Sequence, residues 1–115
     1  MWIMVAGPYR SGAADEAARA ENLRILNEAA VALLRAGHVP VIGVNMALPM
    51  IAAAGADDRA YREIMMPLSL ALAERCDACL RIGGPSRGAD DEVERFRAAG
   101  RPVYRALAEV PGVGA

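Results

Sequence analysis

One short segment of the chain combines a glycine-rich turn with a hydroxyl and a carboxylate. An apolar run over 78–82 predicts a strand, and after it comes Gly83-Gly84-Pro85-Ser86-Arg87-Gly88-Ala89-Asp90-Asp91-Glu92, which opens a predicted helix. A glycine-rich turn between a strand and a helix leaves backbone N–H groups free to bind an anion. Ser86 and Glu92 would lie beside that anion. The segment therefore predicts chemistry on a phosphorylated or sugar-bearing small molecule.

Glu92 is the candidate nucleophile of this segment. Negative charge is stabilised near a helix N-terminus, so we expect its carboxylate to stay ionised, as a nucleophile must. The alternative interpretation is that Asp90, Asp91 and Glu92 only stabilise the helix start, which suits the two aspartates better. Ser86 could cap the helix, bind a phosphate or sugar hydroxyl, or do each in a different state. Gly88 either lets a ligand approach the backbone or gives the turn a positive φ.

A second group of polar residues follows the first predicted strand. Tyr9 offers a phenol that could orient a carboxylate, and Arg10 could pair with phosphate. Alternatively, Tyr9 is only a surface aromatic residue and Arg10 only a solvated cation. Asn45 could bind a base edge or a hydroxyl, or it could instead stabilise a turn. We predict Glu92 and Tyr9 as catalytic. The predicted substrate-binding residues are Gly7, Arg10, Ser11, Asn45, Ser86, Arg87 and Gly88.

Alternating apolar and amphipathic segments must position these residues. The patterns predict strand 1–6, helix 15–36, strand 38–44, a short helix 47–54, helix 57–76, strand 77–82, helix 88–99 and strand 101–104. Pro67 is expected to kink or restart its helix, and the tail 106–115 to fray. Strands that alternate with helices predict an α/β fold, with helices on both faces of a four- to five-stranded parallel sheet. We interpret 1–115 as one such domain.

Ligands of such sheets bind beyond the carboxyl ends of the strands, where the strand order reverses. Three segments, 7–12, 43–49 and 83–88, lie at that edge, and polar residues and glycine concentrate in them. We therefore predict that the first and third turns meet at one cleft, with the carboxyl group of Glu92 directed into it.

Two other features have structural interpretations. Cys76 and Cys79 are spaced C-x-x-C but lie where a helix ends, so we interpret them as small buried residues rather than a redox pair. The stretch 64–72 is too apolar all round for a helix that faces solvent. We interpret it as core on one side and a subunit interface on the other. The alternative is that the domain buries it internally.

Composition argues against several classes of protein. A formal net charge of -1 does not suit a nucleic-acid partner. No apolar run reaches the roughly 18 residues of a membrane span, and the first residues do not resemble a signal peptide. A structural zinc site needs more ligands than two cysteines and the single histidine, His38, and no metal or other cofactor is expected. We expect a cytoplasmic protein.

The motifs G-P-Y-R-S-G after the first strand and S-x-G-A-x-x-E after the third resemble those of the nucleoside 2-deoxyribosyltransferase-like superfamily. It includes nucleoside 2-deoxyribosyltransferases, deoxynucleoside 5'-monophosphate N-glycosidases, and small uncharacterised proteins, to which this chain looks most similar. The likeness extends from Met1 to about Tyr104. It implies a flavodoxin-like, Rossmann-like fold and a homo-oligomer, a dimer or larger, whose neighbouring subunits share active sites.

The same resemblance assigns roles residue by residue. Glu92 matches the carboxylate nucleophile, and Ser86 matches a serine that contacts the 5'-phosphate in the N-glycosidases. Gly7 and the loop Tyr9-Arg10-Ser11 match the segment around the sugar. The aspartate that serves the superfamily as acid and base has no counterpart, because the nearest position is about Ser69.

The missing aspartate affects how a leaving base would be protonated, and Asp57 or Asp58 could reach in from another loop. The sequence thus predicts an N-glycosidase or N-(deoxy)ribosyltransferase acting on a nucleoside or nucleoside 5'-monophosphate, with Glu92 attacking the anomeric carbon and Tyr9 orienting it. One alternative is a non-catalytic nucleotide-binding module of the same fold. The other is a structural domain without a ligand.

Overall fold

The structure is a computed structural model and describes residues 1–114. Its elements are β1 (Trp2–Ala6), α1 (Glu16–Arg35), β2 (Val39–Val41), α2 (Gly43–Ala53), α3 (Asp58–Ala73), β3 (Ala78–Arg81), α4 (Arg87–Ala98), β4 (Val103–Tyr104) and a 3-10 turn (Leu107–Glu109). The predicted alternation of strands and helices is confirmed.

The strands form one parallel sheet in the order β2-β1-β3-β4. Trp2 of β1 pairs with Val39 of β2, and Ile3 pairs with Ala78 of β3 on the other side. The chain therefore places β2 on one side of β1 and then crosses back to place β3 and β4 on the other side. This order and the flanking helices confirm the predicted three-layer, flavodoxin-like architecture with four strands.

Alternation along β1 directs apolar side chains to both faces of the sheet. Ile3 and Val5 pack with Leu26 and Leu33 of α1 on one face. Met4 packs on the opposite face, in a cluster with residues of α3 and α4 that includes Phe96. Every residue of β3 is buried, as expected for a central strand that helices cover on both sides.

Helices α2 and α3 pack against each other through a third apolar cluster, which contains Ala47, Ile51, Ala60 and Met65. In the described chain, no large apolar side chain of 64–72 is among the exposed ones, because this stretch is largely covered by its neighbours. The internal alternative for this stretch therefore fits the structure better than an open interface.

The second predicted strand is shorter than expected. Residues 43 and 44 belong to the first turn of α2 rather than to β2. Val44 and Ala47 recur at helical spacing and pack on α3, and this packing outweighs the strand preference of the β-branched run. Pro67 lies within α3 without ending it. Its ring faces solvent, where water can bind the carbonyl of Glu63 that loses its amide donor.

The tail is predicted to fray, but in the structure it packs against the core. Val110 is 2% exposed and packs in the cluster formed by α1, β1 and β3, with Leu107 and Val113 beside it. The imidazole Nε2 of His38 donates a hydrogen bond to the carbonyl of Pro111 at 2.7 Å. Three apolar side chains at suitable spacing thus anchor a segment rich in Pro and Gly. Residue 115 lies outside the described residues. No helix within 1–114 has the length and apolar character to cross a membrane.

Candidate active site

A cleft of about 220 Å³ opens at the carboxyl ends of β1 and β3, where the strand order reverses. Predicted site residues from two separate turns line it: Gly7, Tyr9, Arg10, Ser11, Ser86, Gly88 and Glu92. The structure therefore brings the first and third turns together, as the sequence predicts.

Ser86 positions the glycine-rich turn on one wall of the cleft. It is the N-cap of α4, and its hydroxyl accepts a hydrogen bond from the amide of Ala89 at 3.2 Å. The Ser11 hydroxyl lies 3.5 Å from the Ser86 hydroxyl and so joins the first turn to the third. Two hydroxyls and the first amides of α4 can together bind an anion or a sugar hydroxyl.

A buried arginine beneath this turn holds its shape. The Arg81 guanidinium donates to the carbonyl of Ile82 at 2.5 Å and to that of Gly84 at 2.9 Å. It also pairs with the Asp90 carboxylate at 3.2 Å, although that carboxylate is mostly exposed. Arg81 thus links the end of β3, the turn and the start of α4. Arg81 does not itself line the cleft.

Glu92 is 8% exposed and lines the cleft. Within residues 1–114 no side-chain polar atom that is sealed from solvent lacks a hydrogen-bond partner. The carboxyl of Glu92 forms no hydrogen bond there, so its oxygens are open to the cleft. Burial raises its pKa from 4.5 to about 8, while the charge of Arg81 lowers the pKa and that of Asp91 raises it. The expectation of a carboxylate kept ionised by the helix start is therefore wrong, because burial outweighs the helix.

The first turn forms the rim of the cleft and contacts α3. The Arg10 guanidinium stacks 3.6 Å from the centre of the Tyr61 ring, and it lies 3.9 Å from the Asp58 carboxylate, which is exposed. The Tyr9 carbonyl accepts a hydrogen bond from the Asn22 amide at 2.9 Å, which fixes the turn on α1. No hydrogen bond links Tyr9 to Glu92 in the described part of the chain, so its orienting role stays a prediction.

Two glycines lie at close approaches between elements of this site. A Cβ at position 7 would lie 2.8 Å from both the Ile82 carbonyl and a Leu26 methyl. A Cβ at position 88 would lie 3.2 Å from the Met66 sulfur. Gly7 therefore lets the first turn pass close to the residue that follows β3, and Gly88 lets α4 approach α3.

Two predicted binding residues lie away from the cleft. Asn45 lies in the first turn of α2, where its amide exchanges hydrogen bonds of 2.8 and 3.2 Å with that of Asn27. Its predicted loop is a helix, so the side chain projects toward α1. Arg87 is the first residue of α4 and is exposed, outside the cleft lining.

Helix α3 provides a wall of the cleft that is not predicted from the sequence. Tyr61, Met65 and Ser69 all line the cleft. They recur every four residues and so share one face of α3. This spacing is visible in the sequence, but nothing there indicates that this face of the helix turns toward the glycine-rich turn.

Burial sets the chemistry of the two thiols. Cys76 and Cys79 are free and buried. Burial, with a smaller contribution from a charged Glu92 carboxylate, raises the pKa of Cys79 to about 12. Such a thiol is a poor nucleophile at neutral pH. Among residues 1–114, no group of three or more His, Cys, Asp or Glu side chains could hold a metal ion.

The chain belongs to the family described as a domain of unknown function, DUF1937, whose family model matches residues 2–107. Comparison with curated proteins and with solved structures found no match. The family assigns no activity, and the resemblance to the nucleoside 2-deoxyribosyltransferase-like superfamily stays a prediction.

Proposed function

We propose that the protein is a cytoplasmic N-glycosidase or N-(deoxy)ribosyltransferase that acts on a nucleoside or nucleoside 5'-monophosphate, with Glu92 as its nucleophile. The observation that carries this proposal is a buried carboxyl group that faces a cleft and has no partner within 1–114. A turn suited to an anion and capped by Ser86 lies on the same cleft. A structural glutamate would instead be paired with a hydrogen-bond donor.

The proposed reaction breaks the C–N bond between sugar and base. The Glu92 carboxylate attacks the anomeric carbon through an oxocarbenium-like state, and the bonding electron pair leaves with the base. The leaving base takes a proton from water or from an acid on a neighbouring chain, and water or a second base then displaces the sugar from Glu92. Ser86, the turn amides and Arg10 hold the 5'-phosphate or 5'-hydroxyl. In this proposal Tyr9 orients Glu92.

The burial of Glu92 makes the reaction depend on pH. With a pKa of about 8, most molecules carry a protonated Glu92 at neutral pH. A nucleophile must be deprotonated, so we expect kcat/KM, which reports the free enzyme, to rise about tenfold per pH unit below that value and then level off. If kcat/KM instead falls as pH rises through this range, Glu92 acts as an acid.

The test is release of free base from a panel of nucleosides and 5'-monophosphates, followed by chromatography. Glu92→Gln keeps the shape of the side chain and removes the nucleophile, so we expect no release above background. Glu94→Gln on the exposed face of α4 is the matched control. Release at an undiminished rate by Glu92→Gln, or none by the wild type on any substrate, contradicts the proposal.

A non-catalytic nucleotide-binding module is a second candidate. It is favoured by one observation: within residues 1–114, Glu92 is the sole carboxyl group that lines the cleft. Neither Asp57 nor Asp58 lines it, so the expected acid is absent there. Titration calorimetry with nucleotides separates the two candidates, because a module binds with saturation and releases no base.

We also propose that the protein forms a homo-oligomer in which a neighbouring chain supplies the missing acid. The predicted contact through 64–72 has little exposed apolar surface of its own. A monomeric mass by light scattering that accompanies base release would contradict this part of the proposal.

A further inference from the structure

We infer that Ser69 is a ligand-binding residue of the cleft, and that its hydroxyl forms a hydrogen bond with a secondary hydroxyl of a bound pentose. This inference rests on the proposed function and names the part of the substrate that the α3 wall recognises. It gives a role to a residue at which the sequence suggests only a missing acid.

The first observation is a buried hydroxyl without a partner. Ser69 is 3% exposed and lines the cleft. Its hydroxyl forms no hydrogen bond with any residue that the structure describes. Because no sealed side-chain polar atom lacks a partner in that part of the chain, the hydroxyl must open into the cleft. A buried hydroxyl without a hydrogen-bond partner is unfavourable. A polar ligand atom that binds at this point would therefore stabilise the complex by giving the hydroxyl a partner.

The second observation is that the backbone of α2 presses on this hydroxyl. A Cβ at Gly43 would lie 2.1 Å from the Ser69 Oγ. Only a glycine therefore allows α2 to begin so close to it. The contact limits the space into which the hydroxyl can turn and leaves the cleft as its open side. Ser69 is thus held in place before a ligand arrives.

The surroundings of Ser69 determine which ligand atom suits it. Val44, Met65 and Met66 line the cleft beside it, whereas Arg10 is exposed at the rim. A charged group against these apolar side chains would be poorly solvated and unpaired. A neutral hydroxyl can both donate to and accept from the serine. Glu92 and Ser69 line the same cleft of about 220 Å³, so a pentose that reacts at Glu92 can place a secondary hydroxyl against this wall.

The test measures binding of ribose 5-phosphate, 2-deoxyribose 5-phosphate and 3-deoxyribose 5-phosphate by titration calorimetry. We expect one of the deoxy sugars to bind the wild type about tenfold more weakly than ribose 5-phosphate, since it leaves the serine unpaired. Ser69→Ala should bind all three with the same affinity. Ser11→Ala, at the exposed end of the anion site, is the matched control and should weaken all three equally while keeping their ratio.

A second measurement separates binding from a structural role. Ser69→Ala removes no hydrogen bond within the described chain, so its melting temperature should equal or exceed that of the wild type. Equal binding of the three sugars by the wild type, or a ratio that survives in Ser69→Ala, overturns the inference. Base release that continues in either case shows that the proposed function still stands. Absence of both sugar binding and base release rejects both.

Discussion

At the scale of single residues, two opposing effects act on Glu92. A helix N-terminus stabilises a carboxylate by roughly 0.3–1 kcal/mol, and the effect decays within the first turn. Glu92 is five residues beyond Arg87, the first residue of α4, and so lies in its second turn. Burial raises its pKa from 4.5 to about 8, which corresponds to on the order of 5 kcal/mol. Burial is the larger effect, so Glu92 favours its neutral form.

This balance predicts how stability changes with pH. The folded protein binds the Glu92 proton more tightly than the unfolded chain, whose carboxyl has the ordinary pKa of 4.5. The stabilisation is complete below pH 4.5 and is lost as pH rises through about 8. Relative to Glu92→Gln, we expect the wild type to lose on the order of 4 kcal/mol of unfolding free energy across this window. Urea denaturation at several pH values measures it. Parallel curves for the two proteins would contradict the buried, titrating carboxyl.

The contacts of Arg81 predict effects on both stability and the pKa of Glu92. Arg81→Met leaves the carbonyls of Ile82 and Gly84 without their donor, which should cost about 2–3 kcal/mol of stability. Loss of the positive charge should also raise the pKa of Glu92 further, because Arg81 lowers it. NMR titration of the glutamate side chains follows the second effect.

Arg101→Met is the control for this experiment. Arg101 donates to the carbonyl of Ala73, the last residue of α3, and to that of Cys76 in the turn that follows, so its loss should cost stability too. It does not shift the pKa of the cleft carboxyl, because the charges that shift the Glu92 pKa are those of Arg81 and Asp91. An unchanged Glu92 titration in Arg81→Met would show that Arg81 only supports the turn.

Part of the site is visible in single residues of the sequence. Ser86 and Glu92 follow a strand at a spacing that suits a helix cap and an adjacent acid, and the structure brings both to the cleft. Ser69 and Tyr61 carry no such signal. Their position depends on how α3 is rotated against α4, and that rotation is set by packing of residues distant in sequence.

At the scale of elements, the start of α4 links stability to ligand binding. Ser86→Ala removes the cap and should cost about 1 kcal/mol. Ser86→Asp restores a capping oxygen, so its stability should approach that of the wild type. The added negative charge should nevertheless repel phosphate, and we expect ribose 5-phosphate to bind this variant at least tenfold more weakly. Thermal melts and calorimetry measure the two effects, and equally strong binding by Ser86→Asp would exclude an anion at this turn.

The elements also show where the sequence is ambiguous. The run 38–44 is short and β-branched, which is typical of a buried strand. The chain instead turns at Ile42, whose extended backbone precedes the first turn of α2. Packing of α2 on α3 decides this boundary, and such contacts cannot be read from a seven-residue window. The misplacement of Asn45 follows directly, because a side chain in a loop could reach the cleft and this one cannot.

At the scale of the whole molecule, the edge strands of the sheet are short, so the core depends on the helices and the tail that pack on the sheet. β4 has two residues and β2 has three, so strand pairing alone gives the edges little support. The face covered by α1 is completed by the tail, through Val110. The parallel architecture follows from the alternation of strands and helices in the sequence. The docking of the tail does not, because proline and glycine near a terminus usually indicate fraying.

A substitution of Val110 therefore tests whether the tail contributes to the stability of the core. Val110→Ala removes two buried methyl groups from the cluster on α1, and we expect it to cost about 2 kcal/mol. Val31→Ala, on the exposed side of α1, is the matched control and should change stability by less than about 0.5 kcal/mol. Denaturant unfolding compares the two. If both variants unfold like the wild type, the tail frays in solution as its composition suggests. If only Val110→Ala is destabilised, the segment from Leu107 to Val113 is part of the core that supports the cleft at the opposite end of the sheet.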